Sequence, residues 1–180
     1  MLLTTDRLVL RRFRPSDADT LAAYRNLPEV ARYQSWQAPY SVEKARYAIE
    51  TMAVMDPDEP GWFQYAVELT DGHVHIGDVG VNLHDNRRQA DIGYTFAPPW
   101  QGRGYATEAV RAVLDHLFRV KGLHKVSAEC DARNTPSYRL LERVGFQREG
   151  RLRQHSWVKG EWTDDLLYGL LETDFFGLAR

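Results

Sequence analysis

Hydrophobic and polar positions change period several times along this chain, and each change marks an element. Residues 7 to 13, RLVLRRF, alternate as a strand does. PSDADTLAAYRN then begins a helix, with Ser16 and Asp19 spaced as a capping box. A second helix follows, in which Ser41 can cap VEKARYAIETMAVM before the breaker-rich DPDEPG of residues 56 to 61 stops it. Phe63, Tyr65, Val67 and Leu69 alternate, Asp71 and Gly72 supply a tight turn, and HVHIGDVGVNL returns as the partner strand. After the polar turn HDNRR, period two resumes at Ala90, Ile92, Tyr94 and Phe96.

The period then lengthens. Ala106, Ala109, Val110, Val113, Leu114, Leu117 and Phe118 recur at steps of three and four, which predicts an amphipathic helix of about four turns, ended by Gly122. HKVSAECD alternates as a strand. NTPSYRLLERVGF predicts a short helix with Pro136 near its first turn and Gly145 at its stop, and two strand-like segments close the chain. There are no repeats, low-complexity runs or linkers. This order predicts a single domain, residues 1 to 180, of α/β class: a mixed sheet covered by helices.

Composition narrows the class of function. At 180 residues the chain can bury roughly 70% of its unfolded surface. A formal net charge of −2 with 27% charged residues gives no support to a nucleic-acid-binding surface. Asp6 and Arg7 interrupt the N-terminal apolar residues, so a signal peptide is not expected, and no segment approaches a membrane span. Cys130 is the single cysteine, which rules out an intrachain disulfide and argues against a cysteine-type zinc site. A reducing, cytoplasmic setting is expected. His73 and His75 share one strand face but lack further ligands, so they read as surface or packing groups and no metal is implied. The arginines at 7, 11, 12 and 14 read as a solvated edge, and Cys130 as a small core residue.

The segment APPWQGRGYATEA joins a strand ending at Phe96 to a helix starting near Tyr105. Such a junction aims unpaired backbone N–H groups at one point, and glycines let an anion approach without meeting a Cβ. Arg103 adds a mobile counter-charge at the rim. A loop that merely turns is the alternative on glycines alone. A P-loop needs Gly-Lys-Ser/Thr where this chain has Gly104-Tyr105-Ala106, and a dinucleotide fingerprint needs a third glycine or alanine where Thr107 stands. ATP and NAD are therefore disfavoured.

Gln101-Gly102-Arg103-Gly104-Tyr105-Ala106 resembles the Q/R-x-x-G-x-G/A signature of the GNAT superfamily of acetyl-CoA-dependent N-acetyltransferases. DIGYTFAPPWQGRGYATEAV with NTPSYRLLERVGF, VKGEWTDDLLYGLL and LTTDRLVLRRFRPSDADTL resemble the branch of ribosomal-protein alanine N-acetyltransferases, over nearly the whole chain. The resemblance implies a mostly antiparallel twisted sheet of six to seven strands, with helices on both faces. Its central strands, about 89–97 and 124–131, would splay to admit acetyl-CoA. Backbone groups around Thr95, Phe96 and Ala97 would meet the pantetheine arm, residues 101 to 106 the pyrophosphate, and a backbone N–H near Phe96 or Ala97 the oxyanion.

The same resemblance suggests catalytic roles. Glu129 lies five residues before Asn134, at a position matching a catalytic glutamate in related enzymes, and strand alternation sets it opposite Val126, Ala128 and Cys130. A solvent-facing strand carboxylate is the alternative, and Asp91 is a second candidate base. Asn134 and Ser137 match an N-x-x-S in which the asparagine organises the site and coenzyme arm while the serine donates to the departing sulfur. They also read as a helix cap and an ordinary first-turn residue. The tyrosine donor found in many members is replaced by Leu141, and adjacent Tyr138 is not assumed to substitute. Tyr33 and Trp36, with Tyr24 and Tyr40, either shape the amine pocket or pack in the core. The implied activity is direct acetyl transfer to a primary amine, a protein N-terminus or a small molecule such as a polyamine, amino acid or aminoglycoside. A non-catalytic acyl-CoA sensor is the rival reading. The resemblance is consistent with a homodimer and implies no nucleic-acid or membrane partner.

Overall fold

The computed structural model describes residues 3–177. One sheet orders its strands as β1 (Leu3–Thr4), β2 (Leu8–Arg11), β3 (Gly61–Leu69), β4 (His75–Leu83), β5 (Gln89–Phe96), β6 (Lys125–Asp131), β8 (Glu161–Leu171) and β7 (Gln147–Val158). All neighbours are antiparallel except β5 and β6. The mixed, mostly antiparallel sheet is thus the expected one, and the strand beyond the expected six to seven is the two-residue β1.

Helices cover both faces because strand alternation sends side chains to both. Ala66 joins the cluster formed with α1 (Ala18–Arg25), α2 (Pro28–Ala31) and α3 (Val42–Ala53). Its neighbours Tyr65 and Val67 join the opposite cluster, with α4 (Tyr105–Asp115) and α5 (Thr135–Arg143). The apolar stripe of α4, from Ala109 through Leu114, is wholly buried there. The stripe continues through a π-helical turn, His116–Val120, and the chain reverses at Gly122 with φ +66°. A final short helix, α6 (Glu172–Gly177), follows β8 and was not expected from the sequence, nor was α2. No helix among the described residues is long and apolar enough to cross a membrane.

Two local expectations need correction. Ser41 caps α3 as expected, its Oγ accepting from the Lys44 N–H at 3.2 Å. At α1, however, Asp17 rather than Ser16 organises the start: Pro15–Asp17 form a 3-10 turn, and Asp17 Oδ2 accepts from the Arg14 N–H at 2.7 Å. The reason lies in the second correction. Arg11 is not part of a solvated edge but is 3% exposed, donating to both oxygens of Asp17 at 2.8 Å and to Glu68 at 2.7 Å. Burial alone would raise the Asp17 carboxyl, but the Arg11 and Arg14 hydrogen bonds outweigh it and hold it below its usual range.

Removing the cation should strip Asp17 of its guanidinium partner, leaving it the Arg14 N–H, and leave the buried Glu68 carboxylate only its contacts with Arg14 and His73. Arg11→Ala is expected to lose about 3–5 kcal/mol of stability, read from the denaturant midpoint at pH 7. Because folding depresses the Asp17 and Glu68 carboxyls, their contribution is present above the unfolded carboxyl range and is lost as pH falls through the folded values. The gap between wild type and variant should therefore narrow in acid.

The sheet opens where the coenzyme was expected. β5 and β6 pair in parallel only at Gln89↔Lys125, Ala90↔Val126 and Asp91↔Ser127. Beyond Asp91 the two strands part, while β6 keeps its ladder with β8 as far as Asp131↔Asp165.

Candidate active site

The opening between β5 and β6 leads into a cleft of about 1970 Å³, lined by Tyr94, Thr95, Phe96, the loop before α4, and the N-terminal end of α5. Main-chain polarity in β5 decides what the cleft can bind. Ala97 donates its N–H to the Ile76 carbonyl at 3.0 Å. Main-chain groups alternate sides along an antiparallel strand, so those of Thr95 also face β4, and those of Tyr94 and Phe96 face the gap. An oxyanion donor at Ala97 is thereby excluded, because its hydrogen is already in the sheet. The Phe96 N–H is left. Gln101 Nε2 takes the Phe96 carbonyl at 2.7 Å and ties the strand end to the loop.

The loop before α4 leaves main-chain donors unspent. Gly102 (φ +71°) and Gly104 (φ +85°) occupy left-handed backbone that glycine alone adopts without strain. Gln101 spends its N–H on the Pro98 carbonyl. Among the described residues, no protein acceptor meets the N–H groups from Gly102 to Ala106; the ladder of α4 begins with Glu108 N–H to the Gly104 carbonyl. Five donors are therefore unspent at the positive end of an 11-residue helix.

The counter-charge differs from the one expected. The Arg103 guanidinium lies over the Trp100 ring, 5.3 Å from its centroid, and is not part of the cleft lining. Arg7 takes that place. It stacks on Tyr105 at 4.5 Å, is held by Glu108 Oε2 at 2.7 Å, donates to the Arg103 carbonyl, and sits 3.4 Å from where a Gly104 Cβ would be. Tyr105 itself serves as the platform under Arg7. Arg111, Arg139 and Arg143 line the same cleft from α4 and α5.

At the inner end, Asn134 caps α5, its Oδ1 accepting from Ser137 N–H at 3.4 Å. Ser137 Oγ lies 3.1 Å from the Tyr94 hydroxyl, which also donates to the Ser137 carbonyl at 2.9 Å. Sequence periodicity counted Tyr94 as one more apolar strand position. Its hydroxyl spans the gap to α5, and burial raises its pKa so that it stays a donor. Burial pushes the Cys130 thiol up to about 11, which leaves it a small partly buried group rather than a nucleophile. Tyr138 lies against Arg148, 5.6 Å away, and is not a cleft residue.

Glu129 projects from the other face of β6. It is exposed, yet burial of its carboxyl and the nearby Asp165 and Asp91 raise its pKa, against an opposing pull from His155. Continuing the β5–β6 register sets Gly93 opposite it, where an added Cβ would meet nothing within 4 Å. Asp91, the second candidate, is already engaged by His84 Nε2 at 2.9 Å and Asn82 Nδ2 at 3.1 Å. Tyr33 lines the cleft, its hydroxyl 3.5 Å from the Arg133 carbonyl. Trp36 does not line it. Its indole N–H donates to the Arg25 carbonyl at 3.1 Å and its ring lies 4.3 Å under the Arg25 guanidinium, so it supports the wall from behind. Gln34, which the sequence did not single out, lines the cleft instead and reaches Thr95 Oγ1 at 3.3 Å. Tyr24 and Tyr40 are core residues, bonded to Asp78 and Arg25. His75 packs edge-on against Phe13 and Tyr24, while His73 stays at the surface beside Glu68.

A sheet split beside a helix-end anion cradle defines a class of acyl-transfer protein, and comparison with known proteins agrees. Residues 7–147 match the family described as the acetyltransferase (GNAT) domain. The chain is 34% identical over 177 residues to the uncharacterized N-acetyltransferase p20 of Bacillus licheniformis, covering 97% of this chain and 98% of that one. It is 28% identical over 189 residues to the [ribosomal protein uS5]-alanine N-acetyltransferase of Escherichia coli K12, covering 96% and 92%. The fold is shared, with a TM-score of 0.85 at 19% identity over 95% and 98% of the two chains, by RimL, a ribosomal L7/L12 alpha-N-protein acetyltransferase solved with coenzyme A. The chain belongs to the GNAT acetyltransferase family and is an N-acetyltransferase.

Proposed function

We propose that this enzyme, working as one domain, binds acetyl-CoA in the β5–β6 cleft and transfers its acetyl group directly to a primary amine, with a protein or peptide N-terminus as the leading acceptor class. The observation supporting coenzyme binding is the set of five unpartnered N–H groups from Gly102 to Ala106, beside Arg7. The coenzyme A held by RimL, which shares this fold, agrees with it. The N-terminal acceptor rests on likeness to the uS5-alanine enzyme, and a small-molecule amine is the rival acceptor because pockets diverge on a shared scaffold. A reducing cytoplasm is the expected setting.

The roles follow from position. The loop holds the pyrophosphate, and Tyr94 and Phe96 main-chain groups hold the pantetheine arm in the gap. The amine nitrogen attacks the thioester carbon, the Phe96 N–H meets the oxygen as it gains charge, and the C–S bond breaks. Glu129 takes the proton the amine loses. Ser137, held in place by the Asn134 cap, turns its hydroxyl from the Tyr94 oxygen to the departing sulfur, which leaves as thiolate and then takes up a proton. A thiol near pKa 8.5 is a fair leaving group, so this donor is a modest contributor. Ser137→Ala should lower kcat by no more than roughly tenfold, the worth of one neutral hydrogen bond, and leave the KM for acetyl-CoA near its wild-type value. A loss of coenzyme affinity instead would make Ser137 a binding residue. The function as a whole is tested by measuring thiol release from acetyl-CoA across N-terminal peptides and small amines. Release with peptides whose N-termini are free, and none with their N-acetylated forms, is the expected pattern. Tight coenzyme binding without release on any amine would favour the acyl-CoA sensor.

A further inference from the structure

Glu129 does not stand alone on its face of the sheet. Three strands bring one polar side-chain atom each, a carboxyl oxygen of Glu129 and of Asp165 and a ring nitrogen of His155, within 4.8 Å of one another. Asp165, on β8, is 4% exposed, and its Oδ2 accepts from the Ser156 hydroxyl at 2.6 Å. His155 arrives by a different route. β7 pairs Leu152 with Asp165 and Ser156 with Thr163, so residues 153 to 155 all bulge opposite Asp164. Gln154 in this bulge has φ +49° and donates its N–H to Asp164 Oδ1 at 2.8 Å, while Arg151 grips Oδ2 of the same carboxylate at 2.6 Å. A bulge re-aims the side chains beside it. Here the result is a histidine brought next to the carboxyl pair of Glu129 and Asp165.

We propose that Asp165 and His155 are positioning residues of the base: they flank Glu129 from β8 and from the β7 bulge, and govern when its carboxylate can take the acceptor's proton. The proposal rests on Glu129 being that base. Burial raises the Glu129 carboxyl, and the Asp165 carboxylate beside it, held by the Ser156 hydroxyl, raises it further by opposing a second negative charge there. A protonated His155 acts in the opposite sense by favouring the Glu129 anion. Asp91 faces the same carboxyl from β5 and adds to the effect of Asp165.

Opposite charges on either side predict opposite shifts, which a general structural defect does not produce. The test is the acid limb of the kcat/KM profile, measured with saturating acetyl-CoA and the best amine from the acceptor panel. Asp165→Asn should move the limb to lower pH, and His155→Gln to higher pH, each by about half a unit to one unit. Both variants should keep wild-type affinity for coenzyme A. Titration of the Glu129 side-chain carboxyl by carbon-13 NMR should show the same two shifts without relying on turnover, and reports on any variant that folds but turns over poorly. If both variants keep the wild-type limb while Glu129→Gln abolishes it, the proposal is overturned and Glu129 remains the base. If Glu129→Gln keeps the limb, the base assignment itself is wrong. Activity lost to EDTA and restored by zinc would make the three side chains metal ligands, and would also overturn the proposal.

Discussion

Gly104→Val should abolish measurable coenzyme A binding while leaving a folded protein. At φ +85° any L-residue is strained, and a β-branched one most of all. The conformational cost, about 1–2 kcal/mol, falls within what a domain of this size tolerates. The functional cost is larger. A Cβ here emerges beside Arg7 Nη2, 3.4 Å away, in the loop whose N–H groups are unspent. The two γ carbons would occupy the space the pyrophosphate needs, and relief by peptide rotation would turn the donors away. Losing two or more charge-assisted hydrogen bonds at roughly 1.5–3 kcal/mol each corresponds to at least a hundredfold rise in Kd. Isothermal titration with coenzyme A and a thermal melt separate the two effects. A variant that binds coenzyme A normally would show that the phosphates lie elsewhere.

The second large effect is at Glu129. Glu129→Gln should lower kcat by roughly 10²–10⁴-fold on an acceptor that arrives as an ammonium, since that is the usual contribution of a positioned base. The loss should be greater for a lysine-like amine than for an N-terminal one. Neutralising an amine of pKa near 10.4 at pH 7 costs about 4.6 kcal/mol, against about 1 kcal/mol for one near 8. The sign of the pH dependence is fixed by the raised carboxyl. Glu129 serves as a base only when ionised, so wild-type activity should fall on acidification at a pH above the ordinary carboxylate range, and the variant should lack that limb. Stability should move the other way. A carboxyl whose folded pKa is raised costs stability once pH exceeds that value, so the glutamine variant should melt no lower than wild type at pH 7. A residue that harms the fold while helping turnover is what a functional site exhibits. Equal loss of stability and activity would instead mark Glu129 as structural.

Much of this was legible in the chain, because the relevant signals are local. The three- and four-residue steps from Ala106 to Phe118 state which face of α4 is buried, and Ser41 caps α3 through a hydrogen bond only three residues long. Gly102 and Gly104 announce left-handed backbone at a helix start, while the anion-binding role expected of the loop came from its likeness to the family signature. Ser16 was the wrong cap for a nonlocal reason: Arg11 draws Asp17 inward and shares Glu68, 57 positions away. Tyr94 was hidden by its own periodicity, since an aromatic at a strand position reads as core until a partner 43 residues on is placed beside it. Trp36 took the packing role rather than the pocket role, and Gln34 was passed over, because the sequence does not say which way a loop side chain turns.

The sequence by itself determined most of the elements and the left-handed glycines before α4, since helix and strand period, turn chemistry and capping depend on a few neighbouring residues, and its motifs carried the likeness to the family. Tertiary structure alone decided that Arg7 rather than Arg103 faces the cradle and that the Ala97 N–H is spent in the sheet while that of Phe96 is free of it. It also decided that a bulge in β7 brings His155 to Glu129 and Asp165. Each of these depends on strand register and on contacts between distant segments. A shift of one residue in pairing reverses every side chain and every main-chain donor along a strand, and no local pattern encodes that choice.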